Sequence, residues 1–402
     1  MAPRLLLTAV HFWHSDGMAD FSDPVEYADL RAAVREITAA HGPAEYAEHA
    51  RTATPQSALW TDLGKAGFIG INVPAEYGGG GAGMSELAVV AEESAAGGCP
   101  LLLLLVSSAI GVEVLARHGS VEQKREWLTQ LADGAIKMAF AITEPDAGSN
   151  SHKITTTAVR DGDDYLITGS KYYISGVDES AAILTVVRTG TDEATGKAKL
   201  SLFVVPTSAP GLSWNVLPVA ALIPDKQFTV FYDQVRVPAS SLVGVEGEGL
   251  RPLFDGLNPE RIASAALAVG IGRYAIDLAA AYAGTRQVWG TPIGTHQGVS
   301  HPLAKAKIGV ELAALMTAKA AWQHDNGLPA GEASNMAKYA AGEAAIDAVD
   351  AAIQTHGGNG LSVEYGLIPL WGMARLLQIA PVNREMVLNY VAQHTLGMPR
   401  SY

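Results

Sequence analysis

One cysteine, Cys99, occurs in 402 residues, so no disulfide can form within the chain and nothing points to an oxidising compartment. A lone free cysteine is ordinarily a small buried residue. Positive charge is also scarce. Lys and Arg number 28 against 41 Asp and Glu, a formal net charge of −13. That balance argues against nucleic acid or an anionic membrane as the main partner and leaves an anionic ligand only a local basic pocket. Long apolar runs are missing: the run from Leu101 to Val106 is far shorter than the roughly 18 residues of a membrane span. There is no P-loop, no H-E-x-x-H and no Cys/His cluster with metal spacing, and the histidines are scattered. The glycine runs at 78–81 and 357–360 lack the strand before and the helix after that a dinucleotide fingerprint requires.

What is present has the balance of a globular protein, 48% hydrophobic and 17% charged, long enough for two or three domains. Residues 1–17 carry one Arg and a short apolar run broken by His11 and His14, a poor match to a signal peptide. The stretch from Met18 reads as an ordinary start, so 1–17 is expected to be a disordered upstream extension. From 18 to 135 apolar residues recur at helical spacing, as at Leu30, Val34 and Ile37. From 136 to 245 the pattern becomes β-rich, punctuated by Asp161-Gly162-Asp163, Thr195-Gly196-Lys197 and Ala209-Pro210-Gly211. This reads as an antiparallel, barrel-like β domain. From 246 to 402 long helical periods return at 258–287, 301–325, 329–356 and 375–396, the third stopped by Gly357-Gly358 as a helix C-terminus requires. The expected fold is therefore α+β and multidomain: N-terminal helices, a central β domain and a C-terminal four-helix bundle.

Five segments offer chemistry. Thr143-Glu-Pro-Asp-Ala-Gly-Ser149 is a polar loop after a β run, with two hydroxyls and a glycine that admits a ligand close to the backbone; its composition equally suits a plain turn. In Gly169-Ser-Lys-Tyr-Tyr-Ile-Ser175 one strand face carries Tyr173 and Ser175, suited to a flat heteroaromatic ring or to an ordinary β core. Asn258-Pro-Glu-Arg261 reads as a helix start, with Pro259 in the first turn and Glu260 favoured by the helix dipole. The residues after it are almost all apolar or small, and a carboxylate with apolar walls has a raised pKa and can act as a base. The stretch from Arg286 through Trp289 to Gln297 supplies groups for phosphate and a polar ring edge. Gln354 to Gly360 is a glycine-rich turn after a helix.

Singly these signals are weak; in this order and spacing the chain resembles the acyl-CoA dehydrogenase family from about residue 24 onward. The matching motifs are T-E-P-x-A-G-S at Thr143–Ser149, G-x-K-x-x-I-S at Gly169–Ser175, R-x-x-x-G…Q at Arg286, Gly290 and Gln297, and Q-x-x-G-G-x-G at Gln354–Gly360. The resemblance implies FAD between the β domain and the C-terminal helices. Ile142, Thr143 and Ser149 would touch the flavin or the substrate channel, Tyr173 would lie beside the isoalloxazine, and Ser175 near its reactive nitrogen. Arg286, Trp289, Gln297, Gln354, Gly357 and Gly358 would hold the ADP half across a homodimer or homotetramer interface. It also implies conversion of an acyl-CoA thioester to the trans-2-enoyl-CoA, as in fatty-acid β-oxidation, in the cytoplasm. A base takes the α-proton, a hydride passes from Cβ to flavin N5, and electrons leave to an electron-transfer flavoprotein.

The sequence departs from the family where most members carry the base in a Y-E-G-T-like motif. Aligned on Gln378-Ile379, that motif becomes Ala380-Pro381-Val382-Asn383, which puts Pro381, with no acid, at the base position; the usual R-D pair becomes Gly372-Met373. A minority of the family, the isovaleryl- and long-chain-type members, places a Glu just before the Arg opening the first C-terminal helix. Glu260-Arg261 stands there, and the 25 positions from Arg261 to Arg286 fit the family spacing. Glu260 is therefore expected as the base. Asn258, Arg261, Ser149 and Ala380 are expected around the substrate, the small Ala380 making room for a branched or wide acyl group, with the stretch near Cys99–Val106 as a candidate floor. Two other readings compete: a flavin monooxygenase of the same fold, which needs no α-proton base, and a non-catalytic flavoprotein subunit of a hetero-oligomer.

Overall fold

The computed structural model describes residues 25–400; the 1–17 extension lies outside them. The first helical region contains α1 (Val25–Thr52), α2 (Ser57–Lys65), α3 (Met84–Ala96), a leucine-rich segment of wide turns (Leu104–Gly111), α4 (Val112–His118), and the short α5 (Val121–Gln123) and α6 (Thr129–Ala132). α1 bends at Gly42-Pro43, where Gly42 takes φ 76° and Pro43 cannot donate a backbone bond.

Eight strands follow: β1 (Met138–Ala141), β2 (Thr157–Asp161), β3 (Asp164–Ser175), β4 (Ala182–Thr191), β5 (Ala198–Pro206), β6 (Leu212–Leu217), β7 (Gln227–Pro238) and β8 (Leu242–Val243). Their order is β6-β7-β3-β2-β4-β5-β8, with β1 against β4. The expected antiparallel barrel-like domain is corrected on two counts. β1 and β2 both pair with β4 in parallel, and the path ends on β6 and β8 without closing. The parallel pairs need chain crossovers, which leave no local signal in a sequence. All three turn signals do fall between strands, at β2–β3, β4–β5 and β5–β6.

The last region holds α7 (Leu250–Thr285), the two-stranded hairpin β9 (Gln287–Val288) and β10 (Thr291–Pro292), α8 (Gln297–Asp325), α9 (Gly331–His356), α10 (Leu367–Ile379) and α11 (Arg384–Tyr390). α7 begins eight residues before the expected 258, so Asn258-Pro259-Glu260 is interior to the helix rather than its first turn. Glu260 therefore lies beyond the first turn, the place where the helix dipole would favour its charge. Pro259 leaves the Asp255 carbonyl without its helical donor. The expected helix at 375–396 is two helices, because Ala380–Asn383 turns the chain and Asn383 caps α11, its Oδ1 accepting from the Met386 N–H at 2.8 Å.

α7 is the axis of the fold. It packs on α3, α8, α9 and α10, and its small residues allow this: a Cβ at Gly270 would lie 2.2 Å from the Glu92 carbonyl oxygen of α3. α7 is long and apolar enough to cross a membrane by composition alone, but 78% of its most apolar window is buried within the protein, as in a core helix. Buried Glu92 and Glu93 of α3 are matched by Arg31 and Arg35 of α1 and by Arg273 of α7. Cys99 is buried, and its thiol is pushed up to about 12 by burial.

Candidate active site

Glu260 points into the protein from the first third of α7, with 8% of its surface exposed. Burial pushes its carboxyl up to about 8, and the charges of Arg261 and Lys338 oppose that rise without overcoming it. Arg261 is steadied by Asn258, Nη1 donating to Oδ1 at 3.0 Å, so three of the expected residues form one cluster. Lys338 enters from α9 and was not foreseen. Its ammonium is pressed down to about 8 by burial and by Arg261, and it donates to the carbonyl oxygens of Gln378 (3.0 Å) and Val382. Those carbonyls flank Ala380-Pro381, the segment that takes the place of the usual base.

The loop of Ile142 to Ser149 reaches the same turn. Asn383 Nδ2 donates to Ser149 Oγ at 2.9 Å, joining the β domain to the α10–α11 turn. The loop is held from beneath by a buried ion pair. Lys171 Nζ donates to Glu144 Oε1 (2.9 Å) and to the Ile142 carbonyl (3.1 Å). Glu144 also accepts from Thr155 N (2.7 Å), Thr155 Oγ1 (2.7 Å) and Thr156 N (3.0 Å). Burial raises the Glu144 carboxyl, but the Lys171 charge and these donors outweigh it and hold it near 2. Thr143 is fixed through its carbonyl, which accepts from Tyr172 N at 2.8 Å.

On β3, Tyr173 and Ser175 face outward while Ile174 between them is buried. The register with β7 shifts between Lys171 and Ile174 and Tyr173 adopts φ 58°, so the strand is irregular where a shared face was expected. Tyr173 is 54% exposed, its ring meeting Tyr172 edge-on with 4.5 Å between centroids. Ser175 Oγ donates to Gln227 Oε1 at 3.0 Å, a partner the sequence did not indicate.

Arg286, Trp289 and Gln297 sit elsewhere, around the β9–β10 hairpin at the far end of α7, with Trp289 91% exposed. Gln354, Gly357 and Gly358 lie at the end of α9. The two groups meet through Tyr282 of α7, whose ring stacks on His356 at 4.2 Å between centroids. His356 Nδ1 donates to the Ala352 carbonyl (2.8 Å), and its buried Nε2 has no partner. A Cβ at Gly357 or Gly358 would meet open space. At about 1.5 Å per residue, the 25 positions from Arg261 to Arg286 separate this end from the Glu260 cluster by about 38 Å.

These features fit FAD: a ring and a hydroxyl on β3 for the flavin, and open glycine backbone, an unpartnered imidazole nitrogen and exposed Arg286 for a diphosphate-linked nucleoside. No group of His, Cys, Asp and Glu able to hold a metal occurs among the described residues.

Three family models cover most of the chain: the acyl-CoA dehydrogenase N-terminal domain at residues 24–135, the middle domain at 139–233 and the C-terminal domain at 247–396. The chain is 55% identical over 385 residues to acyl-CoA dehydrogenase FadE12 of Mycobacterium tuberculosis, covering 95% of this chain and 99% of that protein. It is 35% identical over 351 residues to glutaryl-CoA dehydrogenase of Desulfococcus multivorans, covering 84% and 88%. Among solved structures it is similar to glutaryl-coenzyme A dehydrogenase in complex with glutaryl-CoA, at TM-score 0.88 and 29% identity over 95% of this chain and 98% of that one. It also matches the FAD complex of PigA, at TM-score 0.88 and 26% identity over 94% and 99%.

Proposed function

The chain belongs to the acyl-CoA dehydrogenase family, FAD-dependent oxidoreductases, and on that premise we propose that it oxidises the Cα–Cβ bond of an acyl-CoA thioester with Glu260 as the α-proton base. One observation supports this above the others. Glu260 is the buried carboxylate with two cations against it, on α7, while Pro381 at the usual base position has no acid.

In its ionised form Glu260 takes the proton from Cα as that bond breaks. Arg261 and Lys338 bias the carboxyl toward the ionised form, and the low-dielectric surroundings make the ionised form a stronger base than in water. FAD, when bound, accepts the hydride that leaves Cβ. The thioester carbonyl has to be polarised by hydrogen bonds, since an unassisted α-proton is too weak an acid. Ser149 and Asn383 hold the β-domain loop and the α10–α11 turn together at the substrate side, and the exposed Ala380 leaves width for a branched acyl group.

About 38 Å of helix axis separates Arg261 from Arg286, a long reach for one bound dinucleotide. The Arg286–Gln354 end therefore serves the flavin of a second protomer, and the active unit is at least a homodimer. In this reading the electrons that bound FAD takes up would go on to an electron-transfer flavoprotein.

The test is anaerobic bleaching of the yellow holoenzyme by butyryl-, octanoyl-, isobutyryl- and isovaleryl-CoA, with Glu260→Gln in parallel. Bleaching of the wild type but not the variant supports the reading and ranks the substrates. Equal bleaching of both removes Glu260 as the base. Bleaching of neither, with FAD bound, turns the reading toward the monooxygenase or the non-catalytic subunit.

A further inference from the structure

Lys338 is the one charged residue on an otherwise small, buried face of α9, where Ala333, Ala337, Ala341, Ala345 and Ala348 pack against the bundle. A lysine ammonium is normally kept in water. Here it is 1% exposed, donates to the two carbonyls of the 378–382 turn, and its charge is felt by Glu260 and Arg261. We propose that Lys338 is a positioning residue for proton abstraction, clamping the α10–α11 turn to α9 and setting its ammonium charge against the Glu260 carboxylate. The proposal rests on the reading of Glu260 as the base.

Two features make this more than support for the fold. The clamped turn is the one from which Asn383 reaches Ser149, so Lys338 fixes the distance between the helical bundle and the β-domain loop. Its charge also acts where the reaction needs it, because a cation beside a desolvated carboxylate favours the ionised, proton-accepting form. The charges around it come from every side. Glu260 and Arg261 face it from α7, Glu343 from α9 itself and Glu385 from α11. From α10, Gln378 offers its carbonyl, while its side chain is held by Arg375 and by Glu343. Glu343 is further engaged by Arg384 and Glu385 lies beside Arg384, so among these groups the Glu260 carboxylate meets only Arg261 and Lys338 as nearby cations.

The experiment follows the protonation of Glu260 in the holoenzyme without turnover. Its carboxyl stretch is recorded by infrared difference spectroscopy across about pH 6 to 10, with Glu260→Gln identifying the band. Lys338→Met removes the charge and both donors at similar length; Lys338→Arg keeps a charge and donors. The midpoint should move up by about one pH unit in Lys338→Met and return toward the wild-type value in Lys338→Arg. The bleaching rate at neutral pH should fall by about tenfold in the Met variant and recover in the Arg variant. A Met variant that melts earlier but keeps the wild-type midpoint overturns the proposal and leaves Lys338 a structural residue. If Lys338→Met does not fold, the Lys338→Arg midpoint and rate decide: a midpoint that stays near the wild-type value with activity retained supports the proposal, and an upward midpoint or lost activity with the charge present overturns it. Failure of the base reading shows separately, as bleaching that survives Glu260→Gln.

Discussion

Glu260 should weaken the fold increasingly as pH rises from about 4 to 8, and removing its charge should strengthen it. Its folded pKa of about 8 lies above the ordinary carboxyl value of 4.5. The native chain therefore keeps a proton that the unfolded chain has already released. A group of this kind costs nothing below about pH 4, and the native state loses ground as pH rises until the folded carboxyl ionises near 8. From those two values the cost is about 1 kcal/mol at pH 5, about 3 kcal/mol at pH 7 and close to 5 kcal/mol above pH 8. Glu260→Gln, a neutral side chain of the same shape, should be more stable than wild type by those amounts. The assay is urea unfolding of matched holoenzymes at pH 5, 7 and 9. A Gln variant that is equally stable at all three pH values, or less stable at pH 7, would show that Glu260 is not desolvated as its surroundings imply.

The bleaching rate should rise with pH through an acid limb near 8, where about a tenth of Glu260 is ionised at pH 7; a rate flat from pH 6 to 9 refutes it. Lys171→Met leaves Glu144 charged, buried and unpaired, so the holoenzyme should lose about 3 kcal/mol in urea melts; a loss below about 1 kcal/mol means the pair is dispensable. Gly270→Ala forces α3 away from α7, and thermal unfolding should show a loss of about 2 kcal/mol. Ala380→Tyr narrows the site, so kcat/KM for isovaleryl-CoA should fall about tenfold relative to butyryl-CoA; an unchanged ratio places Ala380 away from the acyl group.

Much of the architecture was legible because it is written locally. The β-turns at Gly162, Gly196 and Gly211 and the helix stop at Gly357 are short-range chemistry, and each falls where its residues indicate. The start of α7 was hidden by its own composition. Pro259 suits a first helical turn and so marks a start at 258, yet burial of the apolar helix face carries the helix back through it to Leu250. Parallel pairing of β1 with β4 was invisible because it joins residues far apart in the chain. The same limit governs the site. Glu260, Asn258 and Arg261 are neighbours in sequence and were found together, whereas Asn383–Ser149 and Lys338–Val382 span distant segments. Lys338 did leave one sign, a single positive charge within an alanine stripe at helical spacing.

The length of α7 has a genetic consequence. If one end of this helix supplies the base to its own protomer and the other end grips the nucleotide of a neighbour, no chain owns a whole active site. A protomer with Glu260→Gln and a protomer with Arg286→Ala would each be defective in a pure assembly. Refolded together, they would form some sites that draw Glu260 from one parent and Arg286 from the other, and those sites would be intact. Two damaged alleles would then complement within one oligomer, and a heterozygote would show activity that neither parent has.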